Sequence, residues 1–463
     1  MKLRFLFYFT LPALLLLTGC MVGPNYQRPK VAVPQAFRNA AIQEQGQSPE
    51  SIADLPWWQV FKDPVQQKLI RTGLERNYDV RLAAESIVAG REEVRATRAN
   101  QLPQVSADPS YSGGKNPQNG TTVNTNTLSL LADVNYELDL FGGLRRATEA
   151  SRASLLATEQ ARRTVLLTLV SDIANDYYNL LSLDLQLQIS RDTVAAQQKS
   201  VKLTTSRVQY GVATKVDMLQ AMQVLDSANA QIPDLERQIA REEDAISILI
   251  GNYPEAVPRG ASLRDQELPP AMPTGITSAL LERRPDIGKA EDNLKYYNAE
   301  IGVARAQFFP QISLTGSFGR SQIFTSLMNN PASIWTYTAS ATQPIFEGGK
   351  LRANLHIAES QQRSALLTYM QTVQKAFGDV SDAIVDYEKY RDQHAKEEQY
   401  VTDLTESLRL ANMRYNGGTT NYLEVLDAQR NLFAQQLSLA QIRALEFQSV
   451  VQLYRALGGG WQQ

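Results

Sequence analysis

The chain has 463 residues, with 46 Lys+Arg against 48 Asp+Glu and a net charge of -2. No basic excess exists to neutralise phosphates, which excludes nucleic acid as a partner. Two histidines and one cysteine cannot assemble a zinc site of the His/Cys type, and a lone thiol allows no intramolecular disulfide.

Lys2 and Arg4 precede an apolar run from Phe5 to Leu17 that contains Pro12. The run is short of the ~20 residues of a spanning helix and reads as the core of a signal peptide. Leu17-Thr18-Gly19-Cys20 follows and is similar to a bacterial lipoprotein box, with cleavage after residue 19 and a lipid on Cys20. An ordinary secretory signal with an incidental cysteine is the alternative. Loss of Lys2 and Arg4 with residues 1–19 leaves a net charge of -4. No later run is apolar enough for a transmembrane helix, so a membrane crossing would have to use strands. Residues 20–62 form an extended N-terminal segment with several prolines, ending in Pro56-Trp57-Trp58-Gln59-Val60-Phe61. Its composition suits a strap lying against a helical wall.

A helix is expected over about 63–101. After it, Val105, Ala107, Pro109 and Tyr111 alternate with Ser106, Asp108, Ser110 and Ser112. Leu128, Leu130, Ala132, Val134, Tyr136 and Leu138 alternate with Thr127, Ser129, Asp133, Asn135 and Glu137, Leu131 being the exception. Period two with one apolar face is a strand, and the Gly/Asn/Thr-rich stretch between makes the pair a hairpin. Pro109 places its strand at an edge or a bulge. A glycine turn at Gly142-Gly143 then opens a long proline-free stretch in which Leu166, Ile173, Leu180, Leu187, Val194, Val201 and Val208 recur every seven residues. A heptad held that long predicts a coiled-coil helix of about 100 Å. It ends at Tyr210-Gly211-Val212-Ala213-Thr214, a glycine C-cap and reversal. A return helix runs from about 215 to 250, with a kink allowed at Pro233.

The chain then repeats itself at a constant offset of 207, across a proline-rich linker at 252–274. Units of 63–251 and 275–458 result, with a short tail at 459–463; they are far longer than solenoid repeats of ~20–50 residues. Ile312, Leu314 and Phe318, then Trp335, Tyr337, Ala339 and Ala341, restore the apolar strand faces. Gly348-Gly349 restores the glycine turn, and Val373, Val380, Tyr387, His394, Val401, Leu408 and Tyr415 restore the heptad. Gly417-Gly418-Thr419-Thr420 restores the reversal. His394, alone among seam residues, reads as structural. The fold class is therefore mixed α/β: a duplicated long-helix scaffold with two hairpins, four strands per chain. Four strands cannot close a barrel, and an open edge in lipid strands backbone groups at several kcal/mol each. Two chains would give eight strands and three would give twelve, the latter leaving a lumen.

At the level of whole motifs the chain resembles the TolC superfamily of outer membrane factors, in its OprM-like (NodT-type) lipidated branch. The carriers of the resemblance are Leu17-Thr18-Gly19-Cys20 with Val22-Gly23-Pro24-Asn25-Tyr26, Trp57-Trp58, Leu281-Glu282-Arg283-Arg284-Pro285-Asp286-Ile287, Ala306-Gln307-Phe308-Phe309-Pro310, Tyr422-Leu423-Glu424-Val425-Leu426-Asp427-Ala428-Gln429-Arg430 and Ala456-Leu457-Gly458-Gly459-Gly460-Trp461. It implies a homotrimer with a twelve-stranded barrel in outer membrane lipid and a helical barrel in the periplasm. It also implies a periplasmic adaptor (membrane fusion protein) and an inner-membrane pump of RND type. The reversals at Tyr210 to Thr214 and Gly417 to Thr420 become the adaptor-contacting tip. Leu423 and Asp427, four apart on one helix face, match the family's aperture residues and become the periplasmic gate; Val216 and Gln220 are their first-unit counterparts. No cofactor beyond the lipid on Cys20 is expected.

Enzyme readings have little to stand on. Gly114-Lys115 and Gly349-Lys350 lack the Ser/Thr and the first glycine of a P-loop. The reading is an outer membrane exit duct for small molecules. The alternatives are a duct for type I protein secretion or metal-ion efflux and, in a different class, a coiled-coil envelope lipoprotein that transports nothing.

Overall fold

The structure is a computed structural model and describes residues 21–34, 37, 52–118, 121–268, 277–325 and 329–459. The signal peptide, Cys20, most of the segment after residue 34, the last residues of the linker and the C-terminal tail lie outside the described residues. In chain order the elements are α1 (Trp57–Val60), α2 (Pro64–Arg76), α3 (Tyr78–Ala99), β1 (Gln104–Gln118), β2 (Thr121–Leu138), α4 (Gly143–Gln209) and α5 (Lys215–Leu249). There follow α6 (Leu280–Arg283), α7 (Pro285–Ala306), β3 (Gln311–Thr325), β4 (Asn329–Thr342), α8 (Lys350–Asn416) and α9 (Tyr422–Ala456). The duplication is kept residue for residue in three helix pairs. α3 and α7 have 22 residues each, α4 and α8 have 67, α5 and α9 have 35, and each pair starts 207 apart.

Two compact units divide the chain. The first comprises Met1–Val31, Glu85–Glu159 and Lys289–Gln371 and holds the sheet. Its strands run in the order β1-β2-β3-β4, each pair antiparallel, so β1 and β4 are the edges. The edge position accommodates Pro109, which pairs with Leu130 in an unbroken register without a bulge. In the same unit the N-terminal strap is pinned by Arg146, which is 1% exposed. Its guanidinium donates to the Val22 and Gly23 carbonyls (3.2 Å each), to Asn25 Oδ1 (2.8 Å) and to Glu149 (2.7 Å). Asn298 donates to the Pro24 carbonyl at 2.9 Å, and the Tyr26 hydroxyl donates to Glu291 at 3.2 Å. Residues 22–26 of the strap therefore lie on the helices of this unit.

The second unit comprises Ala32–Ala84, Gln160–Gly288 and Thr372–Gln463. Here the structure corrects the sequence reading of one helix over 63–101 and another over 275–308. Each is two helices, broken at Asn77 and at Arg284. Asn77 accepts from the Asp79 and Val80 amides, capping α3, while its own amide donates to the Leu249 carbonyl at 2.9 Å. Arg284, 207 positions later, donates to the Ala456 carbonyl at 3.1 Å and pairs with Asp286 and Asp379. Leu249 and Ala456 are the last residues of α5 and α9. Two unlike side chains thus tie the end of a return helix to the start of another helix, at matching points of the two repeats. α5 runs on through Pro233, which is exposed, so water can satisfy the carbonyl left without an amide partner.

Heptad residues Leu166, Ile173, Leu180, Val373 and Val380 are buried. His394 belongs to a polar cluster, its Nδ1 lying 3.3 Å from the buried Glu446, which also pairs with Arg443 at 2.7 Å. The linker is held through Asp63, whose carboxylate caps α2 and accepts from the Tyr177 hydroxyl (3.0 Å) and the Gln266 amide (2.6 Å). Arg259 adds a 2.8 Å bond to Asp184.

Candidate functional site

The sheet sorts its two faces by residue type. Across β1 and β2, Val105 faces Val134, Ala107 faces Ala132, Pro109 faces Leu130 and Tyr111 faces Leu128. The row continues as Tyr136 with Leu314 and Ala132 with Phe318, then Phe318 with Trp335, and is interrupted on β3 by Arg320 opposite Leu130 and Gln322 opposite Leu128. Apart from the half-buried Tyr136, the apolar side chains of this row are exposed in the single chain, Phe318 by 70% and Trp335 by 69%. Trp335 and Tyr337 stack with centroids 6.1 Å apart. The opposite face is largely hydroxylic. Ser110 bonds Ser129 and Ser313 bonds Ser340, each at 2.7 Å, and Ser317 donates to Asp133. Leu131, the exception to the alternation, lies opposite Gly319, which in turn lies opposite Ile334. One face suited to hydrocarbon and one to water, with both edges unpaired in the chain, is the pattern of a barrel segment. No helix among the described residues is long and apolar enough to cross a membrane.

The two reversals have one geometry. Gly211 has φ 74 and Gly418 has φ 75. In the first, Gly211 N–H donates to the Val208 carbonyl and Val212 N–H to that of Arg207; in the second, Gly418 donates to Tyr415 and Thr419 to Arg414. This is the paired bonding of a Schellman cap with glycine in the left-handed region. Tyr210 and Val212 are exposed. The return helices start differently. Thr214 and Asp217 form a reciprocal capping box, whereas Asn421 makes no side-chain cap bond. A Val at either glycine would force a β-branched residue into positive φ, at about 1–2 kcal/mol or more. Gly211→Val and Gly418→Val should each rebuild the reversal and speed limited proteolysis at it; unchanged cleavage in both would show that the turns absorb the strain.

On α9, Tyr422, Val425, Leu426 and Ala428 are buried with Ala221, Val224 and Ala411, against Val201, Leu408 and Tyr415. Tyr422 donates to or accepts from Ser200 at 2.9 Å, and its ring lies edge-on to Tyr415 at 5.3 Å. Burial raises the Tyr422 phenol above its ordinary pKa, with the Ser200 bond opposing, so it stays neutral at physiological pH. Leu423 and Asp427 take the opposite side of the helix. Leu423 is 54% exposed, and Asp427 is exposed and accepts from Asn431 at 3.2 Å. The structure thus brings the two together on one open face, outside the coiled-coil seam of their own chain. Of their counterparts, Val216 is exposed and Gln220 half-buried.

A family model described as outer membrane efflux protein matches residues 69–252 and 276–459, two segments again 207 apart. The chain belongs to the outer membrane efflux protein family. It works in the outer membrane as an efflux channel, in a family of channels rather than enzymes. It is 35% identical over 453 residues to the cation efflux system protein CusC of Escherichia coli O157:H7, covering 97% of each chain. It is also 35% identical to the antibiotic efflux pump outer membrane protein ArpC of Pseudomonas putida, covering 97% of this chain and 94% of ArpC. The solved structure of the outer-membrane channel OprN superposes with a TM-score of 0.88 at 30% identity, covering 96% of this chain and all of that one. Among the described residues of this efflux protein no His/Cys/Asp/Glu group is arranged to hold a metal ion.

Sequence reasoning missed the bonds that join the two repeats near the reversals. Arg207 donates to Asn416 at 3.3 Å and its guanidinium lies 4.6 Å over the Tyr415 ring. Arg430 donates to Gln223, its own first-repeat counterpart, at 2.9 Å. The signal was present: Arg207 and Arg414 match across the repeats, yet Arg414 instead pairs with Glu424 at 2.9 Å. Identical residues at equivalent positions take different partners, which no periodicity reveals.

Proposed function

We propose that the chain is the passive exit duct of a tripartite efflux system for small organic molecules. In this reading three copies close twelve strands into one barrel, and the reversals Tyr210 to Thr214 and Gly417 to Thr420 meet a periplasmic adaptor fed by an inner-membrane pump of RND type. The carrying observation is the sheet, apolar on one face, hydroxylic on the other and open at both edges, in a chain of this family. Leu423 and Asp427 form the aperture: in a trimer each becomes a ring of three, one apolar and one of carboxylates that repel one another. Lipidation of Cys20 adds an anchor at the inner leaflet, beside a strap whose Val22 amide bonds the Phe141 carbonyl at 3.1 Å.

A strain lacking the chain tests the reading. Accumulation of a hydrophobic dye should rise and fall again when the chain is restored, while tolerance of toxic metal cations stays at the parental level. Unchanged dye accumulation with lost tolerance would make the cargo a cation. No change in either would make the chain a structural lipoprotein.

A further inference from the structure

We propose that β4 pairs with β1 of a second copy of this chain, antiparallel, in the one register in which paired residue numbers add to 450. The proposal rests on the closed-ring reading above and adds the alignment of the seam between subunits.

The register comes from the duplication. Within the first hairpin Gln104 faces Asn135; within the second, Gln311 faces Thr342, both numbers larger by 207. The hairpins are therefore superimposable residue for residue. The β2–β3 contact joins the first repeat to the second, with Thr125 facing Thr325 and Leu138 facing Ile312. A ring needs one further kind of junction, from the second repeat of one chain to the first repeat of the next. There β4 stands where β2 stood, and the partner's β1 stands where β3 stood. Moving the observed pairs by 207 gives the seam. Asp133 with Ser317 becomes Ser340 with the partner's Ser110; Leu131 with Gly319 becomes Thr338 with the partner's Ser112. Leu130 with Arg320 becomes Tyr337 with the partner's Gly113, and Ala132 with Phe318 becomes Ala339 with the partner's Tyr111.

Three observations fit this alignment. Both edges are long, 15 residues in β1 and 14 in β4, and unpaired in the chain, an arrangement that demands a partner strand. The apolar residues of β4 and of β1 then share one face, whereas a slip of one residue would turn one strand's hydroxyls towards lipid. Large residues meet small ones: Tyr337 already faces Gly316 in its own chain and would lie between two glycines, while Ala339 receives the partner's Tyr111. On the other face serine would meet serine across the seam, as Ser110 meets Ser129 and Ser313 meets Ser340 within the chain.

A slip of two residues preserves the faces, so the test must resolve it. Thr338→Cys is combined in turn with Ser110→Cys, Ser112→Cys and Gly114→Cys. These side chains are exposed in the chain, and a Cβ at Gly114 meets nothing within 4 Å. Membrane-inserted full-length protein is oxidised with copper phenanthroline or treated with a short bismaleimide, then dissociated and run without reductant, single-cysteine variants serving as controls. The Thr338→Cys, Ser112→Cys protein should crosslink into dimers and trimers at least about tenfold faster than the other two. Faster crosslinking with Ser110→Cys or Gly114→Cys would overturn the register and leave the ring standing. No intersubunit crosslink in any inserted combination, nor in Ser340→Cys with Ser110→Cys, would overturn the ring and the register together.

Discussion

An Arg146→Met variant will release the N-terminal strap and leave the sheet intact. Arg146 is the largest fully buried side chain of the described residues and the principal donor to the strap. Its loss leaves the Val22 and Gly23 carbonyls and Asn25 Oδ1 without that donor. A hydrogen bond to a charged donor is worth about 1.5–3 kcal/mol, least at the exposed Asn25, where water can take the donor's place, and more at the half-buried Val22 and Gly23. Water then replaces the strap, while Glu149, more than a third exposed, is solvated at little cost. Gly302 is part of the same device, since a Cβ there would lie 2.7 Å from Arg146 Cγ. Trypsin reads the outcome at the Lys30–Val31 bond, the bond after Arg28 being protected by Pro29. Cleavage there should accelerate by at least about tenfold, equivalent to 1.4 kcal/mol of local opening. Arg146→Lys, which keeps the charge but lacks the guanidinium fork, should fall between. Parental cleavage rates in Arg146→Met would mean that the remaining contacts, the bonds of Asn298, Tyr26 and the Val22 amide and the Arg28–Glu291 ion pair, suffice to hold the strap.

Gly251→Ala should destabilise the helical unit strongly, and Gly458→Ala less. Both glycines follow a return helix with positive φ, 79 and 83. A non-glycine residue in that region costs of order 1–3 kcal/mol. At Gly251 the new Cβ would also lie 2.7 Å from the Arg76 carbonyl oxygen, a backbone atom next to the Asn77 break; at Gly458 the corresponding approach to Arg283 is 3.1 Å. The strain acts on the same joint that Asn77 and Arg284 tie. Thermal loss of helical circular dichroism should therefore rank parent, then Gly458→Ala, then Gly251→Ala. Equal midpoints would show that the joint relaxes freely.

The hairpins and the duplication were legible because they rest on period two and on self-similarity, and β1 and β2 needed only extension of their limits. The cap glycines were legible for a related reason: only the left-handed conformation explains glycine at the end of such a helix, and Gly211 and Gly418 adopt it. The breaks at Asn77 and Arg284 were missed. Local signals were there to be read, an N-cap at Asn77 and a proline after Arg284, but they differ between the repeats; what no local pattern shows is the hydrogen bond to a carbonyl 172 residues away in each case. The Arg146 clamp was hidden likewise, since its partners lie more than 120 residues earlier in the chain. His394 was misjudged in its surroundings: among aliphatic heptad residues it meets the buried Glu446 from another helix. For the aperture, spacing placed Leu423 and Asp427 on one face. Whether that face was packed or open depended on which side of α9 meets the first repeat, and the cluster around Tyr422 decides it.

Single-channel recording in planar bilayers, without adaptor, tests the central claim most directly, by comparing the parent with a Leu423→Ala, Asp427→Ala double variant. On the proposed aperture, the parent should insert and conduct weakly, with rings of Leu423 and Asp427 restricting passage. Truncating these six side chains of a trimer should then raise the conductance several-fold. A double variant that conducts no better than the parent would place the gate elsewhere, and inserted protein that conducts no ions in either form would contradict the duct itself.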